Sequence, residues 1–132
     1  MTLKLLHAQQ VLTLDPQDRI FNPGYVLVEN DRLVEIGPTS LAPSVPPEQE
    51  IHLANRLIMP GLVNAHTHSP MVLFRGMAEG HSLFNFEGWY NTIRVVEEVM
   101  DPGMISPAVA VSCAEMIRTG TTCFADQYFW MD

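Results

Sequence analysis

The chain has 132 residues, 47% apolar and 17% charged, a composition that excludes intrinsic disorder and allows one ordinary domain or two very small ones. Fifteen acidic side chains against seven Lys and Arg give a formal charge of -8. That balance argues against nucleic acid or an anionic membrane as partner, since both need a basic face, and it suits a small-molecule substrate.

No run approaches the roughly 20 apolar residues of a membrane span. The start, MTLKLLHAQQ, lacks the small-residue cleavage site of a signal peptide. Cys113 and Cys123 form neither a disulfide framework nor a CxxC pair, so a reducing, cytoplasmic setting is expected.

In chain order, residues 1–59 read as a small β unit without evident chemistry. Leu3 to Leu14 is rich in Leu and Val and closes on the turn signal Asp15-Pro16. Tyr25 to Glu29 and Arg32 to Ile36 flank Asn30-Asp31, the spacing of a tight hairpin. Pro38, Pro43, Pro46 and Pro47 then predict an extended loop that joins no strand ladder. Glu50 to Met59 resumes a strand pattern.

Residues 60–132 change character at Pro60-Gly61. Leu62 to Thr67 reads as a strand ending in two histidines, and Phe84 to Met100 carries a helix around Trp89, Ile93 and Val96. A second helix is expected with Ser106 as its cap, Pro107 in its first turn and Gly120 as its stop. Ile105, Val109, Cys113, Met116 and Ile117 recur there at helical spacing and predict one buried stripe. Thr121 to Ala125 reads as a second short strand, making a βαβ-type unit whose two strands should be buried parallel neighbours.

His66 and His68 are the sharpest local signal. Residues two apart on a strand share a face, so both imidazoles project together and can share one divalent ion. HxH alone also arises incidentally, and context decides between the two. His7 and His52 in the β unit, and His81 in a glycine-bounded loop, read as exposed or locally bonded histidines. Arg75 has either a structural partner or a place facing substrate. Trp89, Phe84 and Phe86 suit a pocket wall or plain core, and Met71, Met77 and Met100 suit packing.

The stretch PGLVNAHTHSPMVLFRG resembles the first barrel strand of the metal-dependent amidohydrolase superfamily. AEMIRTGTTCFADQYF, residues 114 to 129, is similar to the helix and second strand of its deaminase branch. That branch holds 5-methylthioadenosine/S-adenosylhomocysteine deaminases and the related triazine hydrolases. The VLVENDRLVEIGP hairpin is similar to part of the β-sandwich that flanks such barrels.

The resemblance implies an α/β chain that is the start of a TIM (β/α)8 barrel, its first two strands and intervening helices, preceded by a small β-sandwich unit. Residues 1–59 would be the N-terminal part of the sandwich domain, and residues 60–132 the first βαβ portion of the barrel. A full barrel needs about 250 residues, so the barrel here is incomplete and the chain reads as the N-terminal portion of an enzyme.

The same resemblance implies His66 and His68 as ligands of one Zn2+ ion, with no catalytic residue inside this chain. Related nucleoside deaminases bind the substrate sugar through a Glu nine residues after a Trp, which here is Glu98 after Trp89. Val96 stands where the family usually has Pro, and the neighbouring Glu97 leaves a one-residue slip open. A helix-surface pair between Arg94 and Glu98 is the structural alternative. The implied reaction is metal-assisted hydrolysis of an adenosine-type nucleoside, 5-methylthioadenosine or S-adenosylhomocysteine, releasing ammonia.

A triazine or other heterocycle hydrolase is the competing enzyme reading, and a non-catalytic β/α binding module the competitor of another class. A homo-oligomeric full-length form is compatible with the first two.

Overall fold

The computed structural model describes residues 2–130, and the chain divides into two compact units, residues 1–60 and 61–132. The first unit is one five-stranded sheet. Strand β1 (Leu3–Leu12) lies at its centre, with β2 (Ile20–Phe21) and β3 (Gly24–Glu29) antiparallel to it and β4 (Arg32–Pro38) antiparallel to β3. Strand β5 (Glu50–Ile58) runs parallel to β1, with Leu5 opposite Glu50 and His7 opposite His52. A second layer over this sheet is not among the described residues.

The β3–β4 hairpin turns at Asn30-Asp31, as its spacing predicts, with Glu29 opposite Arg32. Asn30 takes the left-handed backbone there, φ 55°, which Asn tolerates better than most residues. The proline-rich segment departs from expectation. Pro38 is the last residue of β4 and stands opposite Gly24, an end position where its missing N–H breaks no interior ladder. Short 3-10 turns at Thr39–Leu41 and Pro47–Gln49 interrupt the rest.

Ala8, Val11 and Val26 form the buried centre of this unit, with Phe21, Val28, Ile36, Leu53 and Ile58 packed against it. Gly24 is needed at that centre: a Cβ there would stand 2.7 Å from Val11 Cγ2 and 2.8 Å from Phe21 Cβ. Tyr25 is also buried, and its hydroxyl donates to Glu35 Oε1 at 2.6 Å. The accepting carboxylate, helped by burial, pushes the Tyr25 hydroxyl up to about 12.

In the second unit, β6 (Leu62–Thr67) and β7 (Thr121–Asp126) pair in parallel, Leu62 opposite Thr121 and Thr67 opposite Asp126. The crossover contains a 3-10 segment, Ser69–Phe74, and a helical stretch built of Phe86–Trp89, a π turn at Tyr90–Arg94, and Val95–Glu97. It ends in the long helix Pro102–Arg118. Phe74, Met100 and Ile105 are the buried centre, with Met71, Val96, Val109 and Tyr128 against them.

The long helix begins one turn earlier than Ser106 and Pro107 suggest. Asp101 caps it, its Oδ1 accepting from Gly103 N–H at 2.7 Å, and Pro102 takes the first position. Pro107 therefore lies inside the helix. Gly120, φ 91°, ends it as expected.

The buried face runs through Ile105, Ala108 and Ser112, and Ser112 Oγ donates to Ser69 O at 2.7 Å. Ile117 is 73% exposed, because twelve residues on from Ile105 it stands about 120° round the helix. The parallel pairing of β6 and β7 matches expectation, but their burial does not. Leu62 and Val63 are exposed, and among the described residues none of β6 or β7 enters the buried cluster of this unit.

Gly24→Ala should lower the stability of the first unit by about 1–3 kcal/mol through overpacking, read as a reduced denaturant midpoint. An unchanged midpoint would mean that Val11 and Phe21 yield freely. The Tyr25 shift gives a pH signature. Its folded pKa is raised above the unfolded value, so its stabilising contribution is complete below pH 10 and declines as pH rises through 10 to about 12. Tyr25→Phe should remove that part of the alkaline loss, measured as the difference between the parent and variant midpoints across this range.

Candidate metal centre

His66 and His68 come together as period two requires. Their rings meet edge to face with centroids 5.0 Å apart, His66 exposed and His68 half-buried. His68 is fixed by its neighbour on the second strand's exit: its Nδ1 lies 2.5 Å from the carbonyl oxygen of Gln127. A carbonyl only accepts, so Nδ1 carries the proton and Nε2 of the neutral ring is left with a free lone pair. That is the arrangement by which an acceptor behind the ring orients a histidine for metal. The His66 backbone N–H donates to Asn64 Oδ1 at 3.3 Å. The two imidazoles thus fit as part of a divalent-metal site, and a catalytic zinc site ordinarily has three protein ligands.

Asp126 is the residue whose part the sequence alone did not assign. Its carboxylate accepts from the Ser69 backbone N–H at 2.9 Å and from the Ser69 hydroxyl. It thereby joins the end of β7 to the residue directly after His68. The Gln127 N–H also donates to Thr67 O at 3.1 Å, so four hydrogen bonds, with those of His68 and Ser69, hold the histidine-bearing turn to the second strand. The only sequence signal was the position of Asp126 at a strand's C-terminal end, where functional groups concentrate in barrels.

A cleft of about 350 Å3 adjoins His68 and is lined by Trp89, Ile93, Glu97, Tyr128 and Phe129 among others. The Tyr128 hydroxyl is buried, and burial together with the adjacent Glu97 carboxylate pushes it up to about 12. Glu97 belongs to this cleft, and only 12% of its side chain is exposed. Glu98 is exposed and lines an adjoining groove with Arg94, Met100 and Trp130, a groove that Glu97 and Phe129 line as well.

The π turn accounts for that difference. In a plain α-helix, eight residues on from Trp89 lies about 80° round the axis. The extra residue of a π turn takes back about 100°, leaving Glu97 within about 20° of Trp89. Arg94 accordingly approaches Glu97, at 3.7 Å, rather than Glu98.

The remaining candidates separate cleanly. Arg75 makes a two-pronged pair with Glu115, at 3.0 and 2.7 Å, a structural partner on an exposed surface. Phe84 and Phe86 are exposed and lie outside the buried cluster, and Met77 is exposed too, whereas Met71 and Met100 pack as expected. His81, Cys113 and Cys123 enter no cluster of three metal-ligating groups among the described residues, but His7 and His52 do, together with Glu50.

A parallel strand pair with a helical crossover thus carries two histidines at one strand's end and a cleft beside them. The chain belongs to the amidohydrolase family, which matches residues 57–131. It is 38% identical over 127 residues to the 5-methylthioadenosine/S-adenosylhomocysteine deaminase of Syntrophobacter fumaroxidans, covering 96% of this chain and 28% of that protein. The 5'-deoxyadenosine deaminase of Methanosarcina barkeri is also 38% identical, over 92% of this chain and 27% of its own length.

Among solved structures, an adenosine deaminase from Xanthomonas campestris with bound zinc aligns at TM-score 0.72 and 30% identity, over 96% of this chain and 29% of that one. An atrazine chlorohydrolase from Arthrobacter aurescens complexed with zinc aligns at 0.76 and 21% identity over 94% and 28%, a likeness of fold. The chain spans less than a third of the length of these relatives. No helix among the described residues is long and apolar enough to cross a membrane.

Asp126→Asn keeps the side-chain shape and removes the charge that holds Ser69. Zinc affinity at the His66–His68 pair should fall by about 10-fold or more, in the range for orienting partners. Titration with Zn2+ followed at the His66 and His68 ring resonances checks this, and undiminished affinity there would show that the turn is held without Asp126.

Proposed function

We propose that the chain is the N-terminal, metal-anchoring portion of a zinc-dependent hydrolytic deaminase acting on an adenosine-type nucleoside, with His66 and His68 as zinc ligands at the start of a (β/α)8 barrel. The observation that carries this reading is the His66–His68 pair, with His68 Nδ1 committed to the Gln127 carbonyl and Nε2 free. The names of the relatives supply the substrate class: 5-methylthioadenosine, S-adenosylhomocysteine and 5'-deoxyadenosine share one purine nucleoside framework.

When bound, the divalent metal supplies the Lewis acidity that makes water nucleophilic near neutral pH. This chain's part is to hold that ion and one side of the substrate. Trp89 and Phe129 offer flat apolar surface to a purine ring, and Met71 offers adaptable packing at the same cleft. A carboxylate can accept hydrogen bonds from two vicinal sugar hydroxyls, and the place of Glu97 in the cleft lining supports that role for it. Glu98 remains the alternative for that role from the Trp89 spacing, and a pair of variants separates the two.

In the full-length enzyme that this reading requires, Glu97→Gln should reduce nucleoside kcat/KM by about 10- to 150-fold, since a hydrogen bond to a charged group contributes roughly 1.5–3 kcal/mol. Glu98→Gln should be nearly silent, and the reverse pattern would assign the sugar contact to Glu98. His66→Ala should abolish both stoichiometric zinc and turnover. Retained zinc with full activity would remove the ligand assignment. A panel of 5-methylthioadenosine, S-adenosylhomocysteine and triazines decides the substrate class, and turnover confined to triazines would overturn the nucleoside reading.

A further inference from the structure

A second group of metal-ligating side chains lies wholly within the first unit. The parallel register of β1 and β5 sets His7 opposite His52 and Leu5 opposite Glu50. Residues two apart on a strand share a face, so Glu50 and His52 project on one side. The His7 and His52 rings stack there, with centroids 4.7 Å apart and planes 9° from parallel. Glu50 Oε2 stands 3.1 Å from His52 Nε2. One ligand atom from each of the three residues lies within 4.8 Å of the other two.

Those spacings suit a small cation. Ligands on a tetrahedral zinc, with bonds of about 2.0–2.1 Å, lie about 3.3 Å apart. Glu50 and His52 stand near that separation as a hydrogen-bonded pair, a contact that the cation would replace, and His7 has at most about 1.5 Å to close. A separate observation points the same way. His7 Nδ1 and Thr39 Oγ1 are both buried without a hydrogen-bond partner, and both residues line a cleft of about 480 Å3 that Glu50 and His52 also line. Buried polar atoms are ordinarily satisfied, so this pair marks a place where a bound species is wanted.

We propose that His7, Glu50 and His52 form a divalent transition-metal site, independent of the His66–His68 pair, whose fourth position opens on the cleft. Two imidazoles and one carboxylate are the donor set of open zinc sites. The two nitrogen donors select Zn2+ over Mg2+ and Ca2+, which take oxygen ligands. Because the ligands come from two strands 45 residues apart in sequence, the ion would also clasp β5 to β1.

Zinc itself is the probe. In the 132-residue chain carrying His66→Ala and His68→Ala, one equivalent of Zn2+ should bind, and adding either His7→Ala or Glu50→Gln should weaken it by about 10-fold or more. His81→Ala should change nothing. Ring resonances of the unsubstituted chain give a reading that does not depend on the variants folding. Zn2+ should shift the His7 and His52 signals together, saturating at a fixed stoichiometry, with His81 unmoved and Mg2+ without effect. Unmoved His7 and His52 signals, or equal unsaturating drift of all the histidines, would overturn the proposal.

Discussion

The contact between the Asp126 carboxylate and Ser69 governs the geometry of the second unit. A two-stranded parallel pair has few ladder bonds of its own, and its register is irregular after Asn64. Asp126 and Gln127 add side-chain and backbone links at the end where β6 turns away. The turn that begins with His68 is thus fixed to the second strand by an anion accepting from a backbone N–H and a hydroxyl. Ser69 in turn presents its carbonyl to Ser112, so the long helix is docked through the same residue. Histidine, strand and helix meet at one serine.

Much of the local structure was legible because its causes are local. Asn30-Asp31 turns a hairpin, Gly120 ends a helix, and His66 with His68 share a face, all through interactions spanning a few residues. The misjudged helix start has an equally local cause. Asp101-Pro102 and Ser106-Pro107 are both acceptable beginnings, and the earlier one adds a turn whose Met104 N–H bonds to Asp101 O at 3.0 Å. Ile117 was misplaced because helical spacing marks a stripe but not its centre. The packing of Ile105 against Phe74 and Met100, with Ser112 on Ser69, determines which way that stripe faces.

The less legible features depend on pairings that no window of sequence contains. His7 and His52 look unremarkable in their own segments and become neighbours only through the parallel register of β1 and β5. The two histidine pairs therefore differ in origin. One is written into a single strand by period two, and the other exists only after two distant strands align. A sheet converts both into the same chemical object, adjacent imidazoles on one face, and a reading of motifs along the chain finds only the first.

The π turn at Tyr90–Arg94 was likewise invisible, since nothing in its composition separates it from α-helix. Within it, the Thr92 hydroxyl donates to the Gly88 carbonyl at 2.6 Å, serving a backbone group next to the widened turn. Such a bulge absorbs one inserted residue and leaves the flanking turns in phase. The segment between Trp89 and Glu97 can therefore change length by one without rotating either end. Counting residues from an aromatic landmark then becomes an unsafe ruler for this helix, because two chains of different spacing can present the same side chain to the same cleft. Loss of one residue, ordinarily disruptive in a helix, would here return the widened turn to plain α-helix with both ends in phase.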